Sequence, residues 1–440
     1  MQLDITALGD AVANMAAIRR RRRLQPVGGP GDKIFPPTYP AEQKGQKAPP
    51  RHVYERRRVN GGEAWCVLVD SVQSQANRLE DSLLAAIGDG LAVPHVVVDF
   101  TDAGLDGISE ITSLEAPHRV YDAILRDSLL AGEPFMKSDV GLRLARAKPE
   151  DASALLEISP TALLFGAWHS TGEGGGLGAK FARCLVSELI AVNVPVEEVA
   201  VNTRTGVSDR RTGMTARFDG ETLVVNYRTR EIDYHQTAAR RTGSRIDPLG
   251  VLKKVEVFKG DAGWSTNAAA AGAKAKKVRP SEINHGNIAP SVEPLGITCD
   301  HVEHSFVLSF AALRRLRFGG GERDAAGRTL LAALGLVALT EQDARGYALR
   351  SRCDLVCEGQ APLELVAADG ASEPLSLDRA QARTLYEDAF AAARTAGYAP
   401  LGEPLRLTPQ EKLVTIVRES QRLALAGEGG EADDPDHARP

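Results

Sequence analysis

The sequence has no long hydrophobic run and few cysteines, and each shortage argues against a class of protein. None of its apolar stretches approaches the ~18 residues that a transmembrane helix needs. The five cysteines are scattered and odd in number, so we expect a reducing compartment rather than a disulfide framework. An arginine run at 19–23 follows the mildly apolar start, which is the wrong order for a secretory signal. We therefore expect a soluble, cytoplasmic protein with no membrane partner.

Short motifs of several enzyme classes are also missing. Gly-x-Ser-x-Gly does not occur, and no local pattern of serine, cysteine or paired carboxylates indicates catalysis. The glycine-rich segment at 172–178 fails the P-loop spacing, because Gly178 is followed by Ala179 before Lys180. We therefore predict no catalytic residue, no metal and no cofactor, and expect that the chain is not an enzyme.

One alternative to a non-catalytic role stays open. Asp300, His301 and His304 carry metal-ligand side chains, and the two histidines lie three apart on a predicted helix. They could share a metal in a nuclease that cuts RNA or DNA. Acidic residues at a helix start, with polar neighbours, explain the same segment without a metal.

Charge is distributed unevenly along the chain. The formal net charge of −5 argues against a nucleic-acid partner, but the segment 427–440 is acidic and lacks large apolar side chains. Positive charge gathers in blocks at 19–23, 56–58, 274–279 and 314–317. Consecutive arginines repel one another, so a polyanionic partner is the simplest compensation. We predict that these separate basic segments grip a nucleic-acid backbone.

Hydrophobic periodicity predicts strands and helices in alternation, with long insertions between them. The predicted helices are 1–16, 71–88, 115–130, 179–191, 302–316, 325–339, 377–393 and 410–425. The predicted strands are 64–69, 95–100, 163–168, 196–203, 222–227, 351–356 and 363–366, and the basic run at 18–24 and the segment around Leu405 could each form a further short strand. The chain has no internal repeat, so this alternation indicates one α+β or α/β domain with appendages.

The helix that starts at Ser71 combines a core face with a polar face. Its apolar residues recur at helical spacing, and Gln73, Asn77 and Glu80 share the opposite side, flanked by Gln75 and Arg78. Amide and hydroxyl groups at a helix start suit contacts with phosphate and sugar. A solvated face with an ordinary N-cap is the alternative interpretation.

A second candidate anion site is the loop at 170–180. It follows a predicted strand and opens a predicted helix, so its backbone N–H groups and Lys180 suit a phosphate. The alternative is a mobile turn. His169 and Ser170 stand at the entrance of the loop, where a lone histidine fits a backbone contact better than a general base.

Five segments together resemble a known family. They are QPVGGPGDKIFPPTY at 25–39, DSVQSQANRLE at 70–80, LLFGAWHSTG at 163–172, EINHGNIAPS at 282–291 and HSFVLSFAALRRLRF at 304–318. On these segments the chain resembles the CRISPR RAMP-superfamily backbone subunit of Cascade, in its type I-U branch, which is also called I-G. The resemblance extends over about residues 10–425, so it is more specific than any single motif.

The resemblance implies both a fold and a role. The fold would be α+β, with an RRM-like (ferredoxin-like) palm sheet, helices behind it, and finger, web and thumb insertions. The role would be to bind CRISPR RNA without catalysis, with copies stacked head to tail along the guide in antiviral defence. Implied partners are target DNA, other Cascade subunits and a separate helicase-nuclease that cleaves the target.

The resemblance also implies an arrangement of the chain. We expect a basic and Gly/Pro-rich segment at 1–60, the palm with its insertions at 61–425, and a disordered acidic tail at 426–440. Within the palm region, 228–280 is expected to be an exposed basic insertion and 281–296 is the thumb candidate.

Site residues follow from the resemblance together with charge. Ser71, Gln73 and Arg78 match a helix start that contacts guide phosphates in the family, although relatives of other subtypes have a lysine near position 76. The predicted RNA-binding residues are Arg19, Arg21, Lys33, Arg56, Arg57, Ser71, Gln73, Gln75, Asn77, Arg78, His169, Ser170, Lys180, Asn284, His285 and Asn287. Charge alone assigns four residues to DNA, namely Lys274, Lys276, Lys277 and Arg279.

Overall fold

Helices and sheets alternate in a computed structural model of the chain. It describes residues 3–39, 52–169, 180–195, 216–219, 222–225, 240–241, 249, 251, 254–283, 285, 292–293, 296–400 and 402–425. The helices are α1 (Ile5–Asn14), α2 (Val72–Gly88), α3 (Ala123–Arg126), α4 (Asp139–Arg146), α5 (Ser153–Ile158), α6 (Thr161–Phe165), α7 (Phe310–Leu313), α8 (Gly321–Arg345), α9 (Arg379–Thr395) and α10 (Glu411–Leu425). The expected mixed class of helix and sheet is confirmed.

The strands form one large sheet and several smaller ones. They are β1 (Ala17–Pro26), β2 (Tyr54–Val59), β3 (Gly62–Asp70), β4 (Val96–Asp99), β5 (Glu110–Thr112), β6 (Ser128–Leu130), β7 (Glu133–Pro134), β8 (Ala167–Trp168), β9 (Lys180–Phe181), β10 (Leu185–Val192), β11 (Ala216–Asp219), β12 (Thr222–Val225), β13 (Arg240–Arg241), β14 (Val257–Gly260), β15 (Gly263–Ser265), β16 (Lys276–Val278), β17 (Val292–Glu293), β18 (His301–Ser309), β19 (Tyr347–Arg350), β20 (Cys353–Cys357), β21 (Leu363–Val366), β22 (Ser372–Leu375) and β23 (Leu405–Pro409).

The largest sheet is antiparallel and has the order β19-β20-β1-β18-β10-β3-β2, with β21 pairing with β1 and β22 with β21. The arginine-rich β1 lies inside this sheet, and its Arg21 is opposite Ser305 of β18. Side chains of a strand alternate between faces, so the even-numbered residues of β1 share one face and the odd-numbered residues the other. The basic run at 18–24, whose conformation the sequence left open, is therefore a strand.

Helices α2 and α8 cover the face of the sheet on which the even-numbered β1 residues lie. Leu79 and Leu83 of α2 and Leu334 of α8 are buried in one cluster with Phe306 of β18. Each such side chain contributes about 1.5–3 kcal/mol when it leaves water. A Cβ at Gly335 would lie 3.1 Å from Leu185, so glycine lets α8 approach β10 closely.

Smaller sheets flank this layer. One has the order β5-β4-β23-β6-β7, in which β23 pairs in parallel with β4. Part of the predicted insertion at 228–280 folds as a sheet of its own, because β14 pairs with both β15 and β16. Of the thumb candidate, the structure describes residues 281–283, 285, 292–293 and 296, and the acidic tail at 426–440 lies outside the described residues.

Two predicted helices are wrong, because they are mainly strands. The segment 179–191 contains β9 and β10, and 302–316 contains most of β18 before α7 begins. The last four residues of β10 are buried on both faces of the sheet, so the strand lacks a sustained polar alternation that would have identified it. In β18 the strand runs directly into a helix at Phe310, and apolar residues continue across that junction.

Two further predictions fail at chain reversals. The strand expected at 163–168 is mostly α6, which ends at Gly166 with φ +84° before the two-residue β8. The helix expected at 115–130 breaks into a 3₁₀ turn at Arg119–Tyr121, the short α3 and β6. Pro117 lacks an N–H, and the Asp122 side chain caps α3, so the helical pattern is interrupted twice.

The remaining long elements agree with the sequence. The helices predicted at 1–16, 71–88, 325–339, 377–393 and 410–425 correspond to α1, α2, α8, α9 and α10. The strands predicted at 64–69, 95–100, 351–356 and 363–366 are confirmed, as are the start of the one at 222–227 and the short strand at Leu405. The predicted strand at 196–203 lies outside the described residues. In the part of the chain that the structure describes, no helix has both the length and the apolar character that crossing a membrane requires.

Candidate nucleic-acid interface

A single buried carboxylate organises the start of α2. Asp70, the last residue of β3, is fully buried, and its carboxylate accepts hydrogen bonds from four side chains. Three donors belong to α2, namely Ser74 at 2.8 Å, Gln75 at 2.7 Å and Arg78 at 2.9 Å. The fourth is Arg350 at the end of β19, 280 positions away in sequence and 2.9 Å away in space.

The two arginines are held at both ends and remain partly exposed. Arg78 also donates to the carbonyl oxygen of Leu349 at 2.7 Å, and Arg350 donates to that of Val69 at 2.8 Å. Their side chains are 26% and 27% exposed, whereas Asp70 is inaccessible. Two guanidinium groups therefore share one carboxylate, and the excess positive charge faces outward beside the helix start.

The exposed surface of the α2 start carries neutral polar groups. The Ser71 hydroxyl caps the helix by accepting the N–H of Ser74 at 3.2 Å. Gln73 and Asn77 are exposed one turn apart on the same face, as the sequence predicted. These amides, the helix N-terminus and Arg78 thus form one polar surface.

The Gly/Pro-rich segment at 25–39 packs beside this surface. Ile34 pairs through its backbone with Ile297, and the N–H of Phe35 donates to the carbonyl of Arg352 at 3.0 Å. The Arg352 guanidinium lies 4.8 Å from the centre of the Phe35 ring. Burial raises the pKa of Tyr39, whereas the Arg350 charge lowers it and the Asp70 charge raises it.

His52 fastens this segment to the end of the thumb candidate. The N–H of Gly296 donates to Nε2 of His52 at 3.0 Å, so the other ring nitrogen, Nδ1, carries the proton and donates to the carbonyl of Pro37 at 3.0 Å. Burial lowers the pKa of His52, and the neighbouring Lys33 and Arg350 charges lower it further. The ring is therefore neutral near pH 7 and fixed in one tautomer.

A buried polar chain continues from Gln75 to β1. Gln75 Oε1 lies 2.9 Å from the Ser187 hydroxyl, which lies 2.8 Å from Nε2 of His304. Nδ1 of His304 lies 3.1 Å from the Tyr347 hydroxyl, which donates to Asp343 at 2.6 Å. Burial lowers the pKa of His304 to about 3, so the ring is neutral and links Ser187 to Tyr347.

The buried position of Gln75 corrects one predicted contact. Its side chain is fully buried, so it cannot reach RNA and instead holds Asp70 in place. Glu80, predicted on the polar face, is also buried, and both of its oxygens accept from Arg119 at 2.7 Å. Burial raises the pKa of Glu80 to about 7, against the opposing effect of Arg119.

The arginine run at 19–23 is compensated within the protein to a large extent, which corrects the argument from mutual repulsion. Arg19 pairs with Glu364 at 2.6 Å, and Arg21 pairs with Glu303 at 2.6 Å. Arg20 and Arg22 both pair with Asp343 on the opposite face. Strands β18 and β21 and helix α8 supply these carboxylates, so the run alone is not evidence of a polyanionic partner.

Two arginines of the second basic run are likewise paired, whereas Arg58 is exposed and donates only to the carbonyl of Gly61, at 3.4 Å, within the described residues. Arg56 lies over the Trp65 ring and pairs with Glu63 at 3.2 Å. Arg57 contacts both Glu55 and Glu188, the latter at 2.9 Å. These arginines remain partly exposed, but neither carries the excess charge found at Asp70.

The structure describes only the two ends of the glycine-rich loop in which the sequence predicted a phosphate site. Its residues 170–179, including Ser170, lie outside the described residues. Lys180 is exposed at the start of β9, with its ammonium 4.5 Å from the centre of the Trp168 ring. His169 is buried and stacks on Tyr121 with ring centres 4.7 Å apart, so most of its ring is unavailable to a ligand.

The insertion carries the exposed charge that was assigned to DNA. Lys274, Lys276 and Arg279 are exposed and form no ion pair within the described ranges, whereas Lys277 pairs with Glu256. His285 contacts the Trp264 ring edge-on, with centres 5.6 Å apart. The other two thumb candidates, Asn284 and Asn287, fall outside the described residues.

The geometry proposed for a shared metal is wrong. His301 and His304 lie on a strand, so an odd spacing turns them to opposite faces rather than to one side of a helix. Asp300 instead accepts from the Asn193 amide at 2.6 Å. Among the described residues, no three His, Cys, Asp or Glu side chains come close enough to hold a metal ion.

Two residues of this surface were missed by the sequence reasoning. Arg350 ends β19 and Arg352 lies in the turn before β20; the first precedes the strand predicted at 351–356, the second falls within it, and neither belongs to a basic block. Arg352 has φ +57°, a conformation that brings the turn back toward Phe35. A pair of arginines around a turn was the only signal, and it did not indicate the contact with Asp70.

Comparison with known proteins gives a family context. Residues 18–196 match the family model described as CRISPR-associated protein GSU0053. This match contains β1, Asp70 and the start of α2, together with three of the five segments that carried the resemblance. No curated protein matches the chain. The predicted resemblance to a CRISPR-associated family is confirmed.

Proposed function

Because residues 18–196 match a CRISPR-associated family, we propose that this chain is a non-catalytic backbone subunit of a type I-U (I-G) interference complex. In this role it binds CRISPR RNA, and its copies stack head to tail along the guide. The observation that carries the proposal is the start of α2, where exposed amides and a partly exposed arginine pair surround a helix N-terminus.

Strand order supports an RRM-like palm within this proposal. Four strands of the large sheet lie in the order β20-β1-β18-β10. In the chain, α2 lies between β1 and β10, and α8 lies between β18 and β20. This order matches the one expected of the split β-α-β arrangement in ferredoxin-like folds, which supports the proposed palm. The β2–β3 hairpin extends the edge beyond β10, and the long segment between β10 and β18 supplies the insertions.

The chemistry of the α2 start suits an RNA backbone. The N–H groups of the helix start and of the amide side chains do not recognise a base sequence, but they can donate hydrogen bonds to phosphate and sugar oxygens. A guide held through its backbone keeps its bases available for pairing with a target. In this role the protein needs no catalytic group, and a separate helicase-nuclease would cleave the target DNA in the cytoplasm.

Co-expression with a CRISPR array tests the proposal. Protein purified from such cells, together with the other subunits of the complex, should carry an RNA of discrete length in a large assembly. The absorbance ratio at 260 and 280 nm and a denaturing gel would detect that RNA. A nucleic-acid-free monomer from the same cells would reject the proposed function.

A matched control makes the experiment specific. Protein from cells that lack the array should contain no RNA of that length. If RNA of random length copurifies equally from both cultures, the chain binds nucleic acid without selecting a guide, and the proposal fails.

A further inference from the structure

We infer that Arg78 and Arg350, held together by Asp70, form a two-guanidinium clamp for one phosphate of single-stranded RNA, with Arg352 beside it. This inference rests on the proposed function and adds the hairpin β19–β20 to the RNA-binding surface. Arg350 and Arg352 come from a part of the chain outside the matched residues 18–196.

Unused donors make the pair suitable for a phosphate. Arg78 uses Nε for Asp70 and Nη2 for Leu349, so Nη1 is uncommitted within the described part of the chain. Arg350 uses Nη1 for Val69 and Nη2 for Asp70, which leaves Nε. Guanidinium N–H groups held in a fixed plane match phosphate oxygens well, because little side-chain entropy is lost on binding.

The cluster of Arg78, Arg350 and Asp70 has more positive than negative charge, unlike an ion-pair cluster that only stabilises the fold. Within the described residues, Asp70 is the one carboxylate in ion-pair contact with Arg78 or Arg350. The carboxylate of Asp81, one turn further along α2, attracts Arg78 at longer range, but it attracts Arg345 as well, and both charges lower its pKa. The cluster therefore keeps an excess of positive charge.

A second arginine pair in the same protein provides the comparison. Arg379 and Arg383 of α9 also share one buried carboxylate, that of Glu341. Both of them contact Asp89 too, at 3.1 and 3.4 Å, so two carboxylates balance two guanidinium groups. This pair joins α9 to α8 and the end of α2, and it has no charge left for a ligand.

Neighbouring groups extend the positive surface around Asp70. The charges of Lys33 and Arg350 both lower the pKa of His52, so both contribute positive potential at that ring. Arg352 is exposed above the Phe35 ring, and Tyr39 is 37% exposed, with a pKa that the Arg350 charge lowers against the larger effect of burial. An aromatic hydroxyl beside a phosphate site suits a flexible single strand, whose sugar and bases are accessible.

Salt-dependent binding of a labelled RNA tests the clamp. We would measure fluorescence anisotropy of a fluorescein-labelled single-stranded RNA with the full chain, at several salt concentrations. Arg350→Gln should weaken binding about tenfold, as expected when one charge-assisted contact is lost. It should also lower the slope of log affinity against log salt by about 0.7, the value for one phosphate of a single strand.

Arg383→Gln is the matched control, since it removes one arginine from the balanced pair. It should leave both the affinity and the slope at the wild-type values. If Arg350→Gln gives the same affinity and slope as Arg383→Gln, the clamp is rejected while the proposed function stands. If the wild-type chain binds no RNA, the proposed function fails as well.

A second variant keeps the test decisive if Arg350→Gln fails to fold. Arg352→Gln changes an exposed side chain that contacts the Phe35 ring, so the fold should tolerate it. A reduced salt slope with an unchanged melting temperature is expected. A wild-type slope in this variant would remove the β19–β20 hairpin from the RNA-binding surface.

Discussion

At the scale of single residues, a chain of hydrogen-bonded polar side chains runs through the interior of this protein. His304 is fully buried between Ser187 and Tyr347. Through these two hydroxyl groups it connects Asp343, the ion-pair partner of two β1 arginines, with Gln75 below the candidate interface. A neutral imidazole can form a hydrogen bond with each of these two hydroxyl groups. A protonated one would place an additional charge next to Arg20 and Arg22, which already lower its pKa.

Acid should therefore destabilise the fold through His304. Unfolded histidine binds a proton near pH 6.5, whereas the folded residue does so only at about 3, so lowering the pH favours the unfolded chain. From pH 7 to pH 5 this group alone should remove about 2 kcal/mol of the free energy of unfolding. Urea denaturation at the two pH values measures the loss.

Two substitutions separate this effect from general acid sensitivity. His304→Gln should lose clearly less stability over that pH interval than the wild type, although it starts from a lower value. His118→Gln, at an exposed position, should show the full wild-type loss. An equal loss in all three proteins would contradict the assignment to His304.

At the scale of elements, α2 is the helix on which the proposed function most depends. Its polar turn exposes Gln73 and Asn77, which make no hydrogen bond with the described part of the chain through their side chains. Gln73→Ala and Asn77→Ala should each weaken RNA binding about threefold, since one neutral hydrogen bond contributes about 0.5–1 kcal/mol. Anisotropy with labelled RNA measures the change.

The melting temperature should stay unchanged in both alanine variants, because the replaced side chains are exposed. Thr384→Ala, at an exposed position of α9, is the control and should bind RNA like the wild type. Wild-type affinity in both the Gln73 and the Asn77 variants would remove the α2 face from the interface.

The sequence predicted this helix and its polar face because both depend on local spacing. It did not predict β10, whose last four residues are buried on both faces and break the alternation of a half-exposed strand. It also assigned Gln75 to the surface, because helical spacing does not show that β3 ends in a buried carboxylate. Arg350 was missed for the same reason: only tertiary pairing brings β19 next to Asp70.

At the scale of the whole molecule, the proposed role makes a prediction about assembly. A head-to-tail contact between identical chains does not close on itself, so the number of copies is set by the length of the guide. Complexes assembled on longer guides should gain mass in steps of one 47.0 kDa chain plus the added RNA. Mass photometry of complexes on guides of graded length would measure these steps.

A complex of constant mass on all guide lengths would contradict a guide-determined filament. Free protein at the same concentration is the control, and it should show no steps. The overall negative charge of −5 does not conflict with this role, because the excess positive charge is local to the Asp70 cluster.

The position of β1 in the large sheet has a consequence for how the protein is made. This strand comes from residues 17–26, but its partners β18, β20 and β21 lie between residues 301 and 366. At ribosomal speeds of about 5–20 residues per second, the first of those partners emerges roughly 15–55 s after β1. The arginine-rich strand therefore leaves the ribosome well before its partners, and we expect its positive charge to oppose aggregation of the unpaired segment.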